Sequence, residues 1–397
     1  MYKILEIKQL ADFNCVGGEC IDTCCHSWNI NINKSIYKKY AKTKGIGSKK
    51  LRIIDRNNSN NYATMILDGD KSCPFLNKGN LCSIQQEHGV NMLSNTCKTY
   101  PRKALKFNNA IEKTFALSCP SVVEMLLKSE DSLEFNMYDK TDNKAEYIAK
   151  DMDILNTNGI SQDACFNLRS LAITIVQDRR KPLKERIYAL GQVSAIIQNL
   201  IEHKYTSEEI NAYIVELEQD YNSEELLKYT GESIFNGDVK YDLLSQISPL
   251  VKSLVSDGTT KNTSKFGELF KEYLASEEPI NSNKIKVIKK EVFEKFLIEN
   301  EYIFENLFVY KLFAYAFPKK NDNIEEAFKY IVTKILLLEI LALNVFKEES
   351  EISKEDMINA IYIFERQVEH SEMKNLIVGS IYDKLNLHWI DIMELIF

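Results

Sequence analysis

The chain of 397 residues has no long apolar run, and two kinds of protein fall away with that absence. Its most hydrophobic stretch, Ile331 to Phe346, is broken by Lys334 and Glu339, short of the roughly 20 apolar residues a membrane span needs. The opening residues, Met1-Tyr2-Lys3-Ile4-Leu5-Glu6-Ile7-Lys8, carry charge every few positions and lack the apolar core of a secretory signal. The sequence therefore predicts a cytoplasmic protein with no membrane partner. No internal repeat of fixed period is visible, and no low-complexity segment is long enough to argue disorder. A Gly-x-Gly-x-x-Gly turn after a strand pattern is missing too, which removes the usual Rossmann route to binding a nucleoside cofactor.

Basic charge is in deficit overall, with a formal net charge of −7, and this disfavours nucleic acid as a partner. The deficit is uneven. Residues 1–119 hold 18 Lys and Arg against 9 Asp and Glu, whereas the rest of the chain holds 32 against 48. The basic charges of the first part are scattered, without the aromatic interleaving of a base-stacking platform. A local reason for them lies in the cysteines.

Eight of the nine cysteines fall in that same part, at Cys15, Cys20, Cys24, Cys25, Cys73, Cys82, Cys97 and Cys119. Thiols crowded this way serve disulfides, zinc or an iron-sulfur cluster. A reducing cytosol disfavours disulfides, and a chain of this length can bury a large core without them. Four thiolates around Zn2+, or around a cluster core of charge +2, leave about −2 by formal count, and nearby cations lower the cost of keeping thiolates ionised. The spacing is not a tandem of Cys-x2-Cys knuckles, which weakens a plain zinc ribbon. Neighbouring side chains diverge, so Cys24 and Cys25 do not both face one centre easily. Eight thiols allow two four-ligand sites, or one site and a few structural cysteines. Proline follows Cys73 and Cys119 directly, and Tyr100-Pro101-Arg102 follows Cys97 closely; two Cys-Pro pairs in one ligand set favour a cluster site, in which proline removes an N–H and shields the sulfur.

The organisation is expected to be mainly α. A small turn-rich, metal-organised N-terminal domain, residues 1–135, precedes a larger helical bundle domain, residues 136–397, with a flexible loop over 256–265. Pro120 suits a first helical position ahead of Val122, Val123, Leu126 and Leu127. Cys165 recurs with Leu168, Leu171, Ala172 and Ile175 on one stripe and reads as a core residue. Capping boxes start helices at Thr206 with Glu209 and at Ser353 with Asp356. Ile324, Phe328, Ile331, Ile335 and Leu338 make a continuous seam fit for the core of a bundle.

Cys20-Ile-Asp-Thr-Cys-Cys-His-Ser-Trp28, Cys73-Pro-Phe-Leu76, Leu81-Cys82-Ser-Ile-Gln85 and Cys97-Lys-Thr-Tyr-Pro-Arg102 together resemble the flagellin lysine-N-methylase family. They are also similar to the wider group of zinc- or iron-chelating domains with a Cys-x3-Cys-Cys signature. The resemblance covers residues 13–120. It implies an iron-sulfur protein, with a [4Fe-4S] cluster, that uses S-adenosylmethionine to methylate lysine ε-amines on flagellin; zinc is the alternative metal. The Cys-x3-Cys-x2-Cys motif of radical enzymes is begun by Cys20 and Cys24 but broken by Ser27. The competing expectation is a non-enzymatic zinc- or iron-binding module whose helical domain recruits a partner protein.

Polar methyl transfer needs a neutral lysine amine, hence a base or a pocket that lowers the lysine pKa. Tyr100, Asp22, Glu19 and Glu87 lie near the thiols in sequence, and Tyr100 and Arg102 stand as catalytic candidates. Arg102 could also grip the cofactor carboxylate in bidentate fashion. His26 and His88 are weaker metal donors beside so many thiols, and Trp28 and Phe75 suit an apolar lid or core. His203, His370 and His388 read as ordinary helix or surface residues. The acidic helical region could grip a protein bearing cationic lysines.

Overall fold

Pro120 begins a helix, as its fixed φ and missing N–H dictate: Pro120–Leu127 follows Cys119 and buries Val122, Val123, Leu126 and Leu127 in the computed structural model of the chain. The structure describes residues 2–26, 29–47, 49–107, 110–140, 150–151, 160–227, 238–256, 262–277, 280–315, 317–318 and 323–396. Ser27, Trp28 and the middle of the expected 256–265 loop lie outside them. Helices dominate, and both capping boxes form: the Thr206 and Ser353 hydroxyls accept from the backbones of Glu209 and Asp356, whose carboxylates accept from the cap amides in return.

The N-terminal part holds more than turns. A five-stranded sheet runs in the order Phe135–Lys140, Tyr2–Ile7, Ala110–Phe115, Arg102–Phe107, Lys150–Asp151, and a smaller one orders Asn31–Ile32, Ala63–Met65, Leu51–Ile53. The antiparallel pairing of Arg102–Phe107 with Ala110–Phe115 sets Arg102 opposite Phe115. This register returns the chain so that Tyr100, just before one strand, meets Ser118, just after the other.

Ile324–Val345 is the central helix of the other half. Its seam is buried as the spacing predicts, and so is almost every other side chain on it, because it is enclosed by Leu183–Glu202, Val239–Val255, Glu372–Leu385 and Trp389–Ile396. Among the described residues no helix is long and apolar enough to cross a membrane. Cys165 is 3% exposed in the apolar core. That core also takes in Leu5, Ile7, Leu10 and Phe13, whereas Ile30 to Leu93 form a second, separate cluster around Tyr40, Cys73 and Phe75.

Candidate metal centre

Each thiol sits where a turn or a helix end delivers it. Cys20 closes the short turn Gly17–Glu19, Cys82 caps Ser83–His88, and Cys119 caps Pro120–Leu127. Cys97 lies in Asn95–Thr99, whose cap, Ser94, accepts from the Cys97 amide at 3.1 Å. Neither Cys82 nor Cys119 accepts a capping hydrogen bond through its sulfur at the helix it precedes.

Cys24, Cys25, Cys73, Cys82 and Cys97 line one cavity of about 80 Å3, walled by Ile30, Met65, Phe75, Ile84 and Leu93 and flanked by Tyr40 and Tyr100. The first cysteine pair and the proline-flanked set, separated by nearly fifty residues of chain, therefore converge. The reduced Cys24 and Cys25 thiols share a hydrogen bond, which raises Cys24 well above the usual thiol range and lowers Cys25 to about 7. Burial pushes Cys73 and Cys97 up to about 12 and raises Cys82 as well. Such a chamber resists ionised sulfur until a cation shares the space, which is the donor chemistry of a thiophilic metal site.

Cys15, Cys20 and Cys119 do not line this cavity. They lie close enough to feel one another's charge, and Cys24 feels Cys15 on that side and Cys97 on the other. Cys24 thus stands between two groups of thiols, and it and its neighbour Cys25 line the same cavity despite the divergence expected of adjacent side chains. Among the described residues, no three His, Cys, Asp or Glu side chains are gathered in a way that could hold a metal ion. The five thiols are spread around a chamber.

The helical half grips this framework at two places. Arg366, from the helix Lys354–Val368, pairs with Asp22 at 3.3 Å and donates to the carbonyls of Asp22, Thr23 and His26 at 3.2, 2.6 and 3.2 Å, holding the Cys20–Cys25 turn. One residue beyond that helix, Glu369 accepts from the Ser118 amide at 3.2 Å. His370 Nε2 lies 2.7 Å from Ser118 Oγ, which lies 3.1 Å from the Tyr100 hydroxyl. Tyr100, a sequence candidate, is therefore on the cavity wall and at the seam between the halves. His370 is exposed, as its position suggested, and its ring is nevertheless tied to Ser118.

Other sequence candidates have different employment. Arg102 donates to the Phe13 carbonyl at 3.1 Å and lies 5.2 Å from the centre of the Phe13 ring, away from the thiol cavity. Asp22 is buried against Arg366, Glu19 is exposed on its turn, and Glu87 is exposed with His88 Nε2 at 3.9 Å. His26 is buried with Nε2 2.8 Å from the Asp70 carbonyl. Phe75 packs in the small core beneath the Lys50 ammonium, 4.5 Å from the ring centre. His203 stays exposed and folds back on the Asn199 carbonyl.

Three comparisons bear on this arrangement. Residues 169–386 match the family model described as the FliB lysine N-methylase C-terminal domain. This is the half for which the sequence offered no motif. The chain is 24% identical over 382 residues to a protein named Lysine-N-methylase from Salmonella typhimurium, covering 90% of each chain. It is 23% identical over 390 residues to one of the same name from Salmonella choleraesuis, covering 93% of this chain and 92% of that one. A shorter likeness, 30% over 135 residues, links it to the Flagellar biosynthetic protein FliU of Salmonella muenchen, covering 33% of this chain and 80% of that one. No solved structure matches.

Proposed function

The chain belongs to the FliB lysine N-methylase family, and from that premise we propose that it methylates lysine ε-amines of flagellin, with S-adenosylmethionine as methyl donor and an iron-sulfur cluster held by its thiols. The coarser activity, protein-lysine N-methyltransferase, follows from relatives that share nine-tenths of its length. Flagellin as substrate is supported by the flagellar name of the third relative and by the motifs around the cysteines.

One observation carries the metal: five thiols from four separate segments of the chain line a single apolar-walled cavity. The number of thiols and their apolar chamber support a cluster, although the sulfurs are not drawn together as around a single ion. Cys25, Cys73, Cys82 and Cys97 would hold it, with Cys24 beside them, and a [4Fe-4S] group bound there supplies redox-active, Lewis-acidic iron. A spread of thiols suits a cluster better than one zinc, whose tetrahedral Zn–S bonds of about 2.3 Å draw four sulfurs tightly together. The chain's own contribution is positional. Arg366 fixes the Cys20–Cys25 turn, and Tyr100, Ser118 and His370 form a hydrogen-bonded line from the thiol cavity into the helical half.

Protein purified without oxygen should be brown, contain iron and acid-labile sulfide, and add methyl masses to flagellin lysines when given S-adenosylmethionine. A colourless preparation with stoichiometric zinc would replace the cluster by zinc. Iron-loaded protein that leaves flagellin unmodified, under reducing conditions, would sink the substrate assignment.

A further inference from the structure

A cavity of about 680 Å3, within the size range of ligand sites, lies in the helical half. Its walls include the rings of Tyr315 and Tyr330, an edge-on pair 5.7 Å apart, and the carboxylates of Glu326, Glu369 and Glu372. Two lysines also line it, and both are engaged: Lys103 with Glu369, and Lys334 with Glu365 at 2.9 Å and the Tyr315 hydroxyl at 2.8 Å. Glu326 is paired with Lys329 at 3.0 Å, whereas Glu372 is exposed and, among the described residues, makes no ion pair. Aromatic faces and surplus carboxylate together favour a cationic guest.

The rim indicates what kind of molecule carries that cation. Leu376, which lines the cavity, and Met373, three residues earlier on the helix Glu372–Leu385, are 74% and 73% exposed. Large apolar side chains this bare, beside an acidic mouth, suit contact with a protein surface better than with a free small molecule. The position fits as well: Glu369 on the wall accepts from the Ser118 amide, one residue before Cys119.

On the methyltransferase reading above, we propose that this cavity admits the target lysine of the protein substrate, with Glu372 drawing its side chain in and the Tyr315 and Tyr330 rings lining its path. Lys334 lies deeper, 1% exposed, and with Lys311 it shares the one carboxylate of Glu365. That triad is formally +1. A positive floor disfavours a second ammonium beside it and so favours the neutral amine that polar methylation needs.

The test uses rim variants that leave the core intact, Glu372→Lys and Leu376→Asp. Each should raise KM for flagellin roughly tenfold while leaving kcat, iron content and S-adenosylhomocysteine affinity near wild type. An unchanged KM in both would overturn the assignment. So would weakened S-adenosylhomocysteine binding with an unmoved KM, which would make the cavity the donor's site. If the wild-type protein methylates nothing, the activity itself is wrong, and the cavity is then judged without turnover. Saturation-transfer NMR should show Nα-acetyl-lysine methylamide binding in preference to its norleucine analogue, and Glu372→Lys should abolish the preference. No preference in the wild type would refute the lysine site.

Discussion

Arg366 shows how one side chain can hold a site to which it contributes no ligand. Its guanidinium is almost fully buried, faces the fully buried Asp22 carboxylate and donates to three carbonyls of the turn that carries Cys20, Cys24 and Cys25. Removing it strands a buried carboxylate and releases the turn. Arg366→Ala should cost about 3 kcal/mol, the lower end for breaking a buried pair, and should lower metal content; Arg366→Lys should not restore it, since an ammonium cannot span the fork of acceptors. Cys165→Ala is the matched control, costing roughly 1 kcal/mol for a small core cavity with metal retained. Metal analysis and denaturant midpoints measure both, and equal metal loss in Arg366→Ala and Cys165→Ala would contradict the assignment. The thiols were legible in the sequence because eight of the nine cysteines crowd into the first 119 residues. Arg366 and His370 were not, since they meet the thiol segment from some 250 to 340 residues away and carry no local pattern.

Three helices of the bundle are joined by the buried triad of Lys311 on Glu294–Ala314, Lys334 on Ile324–Val345 and Glu365 on Lys354–Val368. Burial alone would raise the Glu365 carboxyl, but two ammonium groups outweigh it and hold it at about 2. At Lys311 burial wins over the single carboxylate and lowers the ammonium to about 8. A carboxylate whose folded pKa lies below its unfolded value of about 4.3 gives stability that is present above that pH and lost as pH falls toward 2. Glu365→Gln should therefore remove that part of the acid limb of the stability curve. At neutral pH it should cost about 3–5 kcal/mol by leaving two buried ammonium groups without a counter-charge. An unchanged acid limb in thermal melts from pH 2 to 7 would contradict this. Among elements, helix starts were legible because capping boxes are local, whereas the five-stranded sheet was not. Tyr2–Ile7 and Ala110–Phe115 mix charged with apolar residues over only six positions each, and both partners of Tyr2–Ile7, one of them parallel, lie over a hundred residues away.

At the scale of the whole molecule, the two apolar clusters differ in what they can sustain alone. The larger runs from Leu5 to Ile396 and includes the enclosed Ile324–Val345 helix. The smaller, from Ile30 to Leu93, has few buried side chains, short strands and short helices, and it borders a chamber of thiols. A segment of that size buries too little apolar surface to be more than marginally stable, so metal binding should supply part of its folding free energy. Chelation under reducing conditions should expose sites between residues 30 and 97 to protease first, while far-UV circular dichroism keeps most of its helical signal and large helical fragments persist. Restoring metal should close those sites again. The separation is incomplete by construction, because Arg366 and the Glu369–Ser118 contact tie the helices to the thiol framework. Metal loss should thus also loosen the end of Lys354–Val368 and the wall of the larger cavity, lowering affinity for flagellin along with metal content. Simultaneous loss of all helical signal on chelation would mean that the bundle, too, depends on the metal.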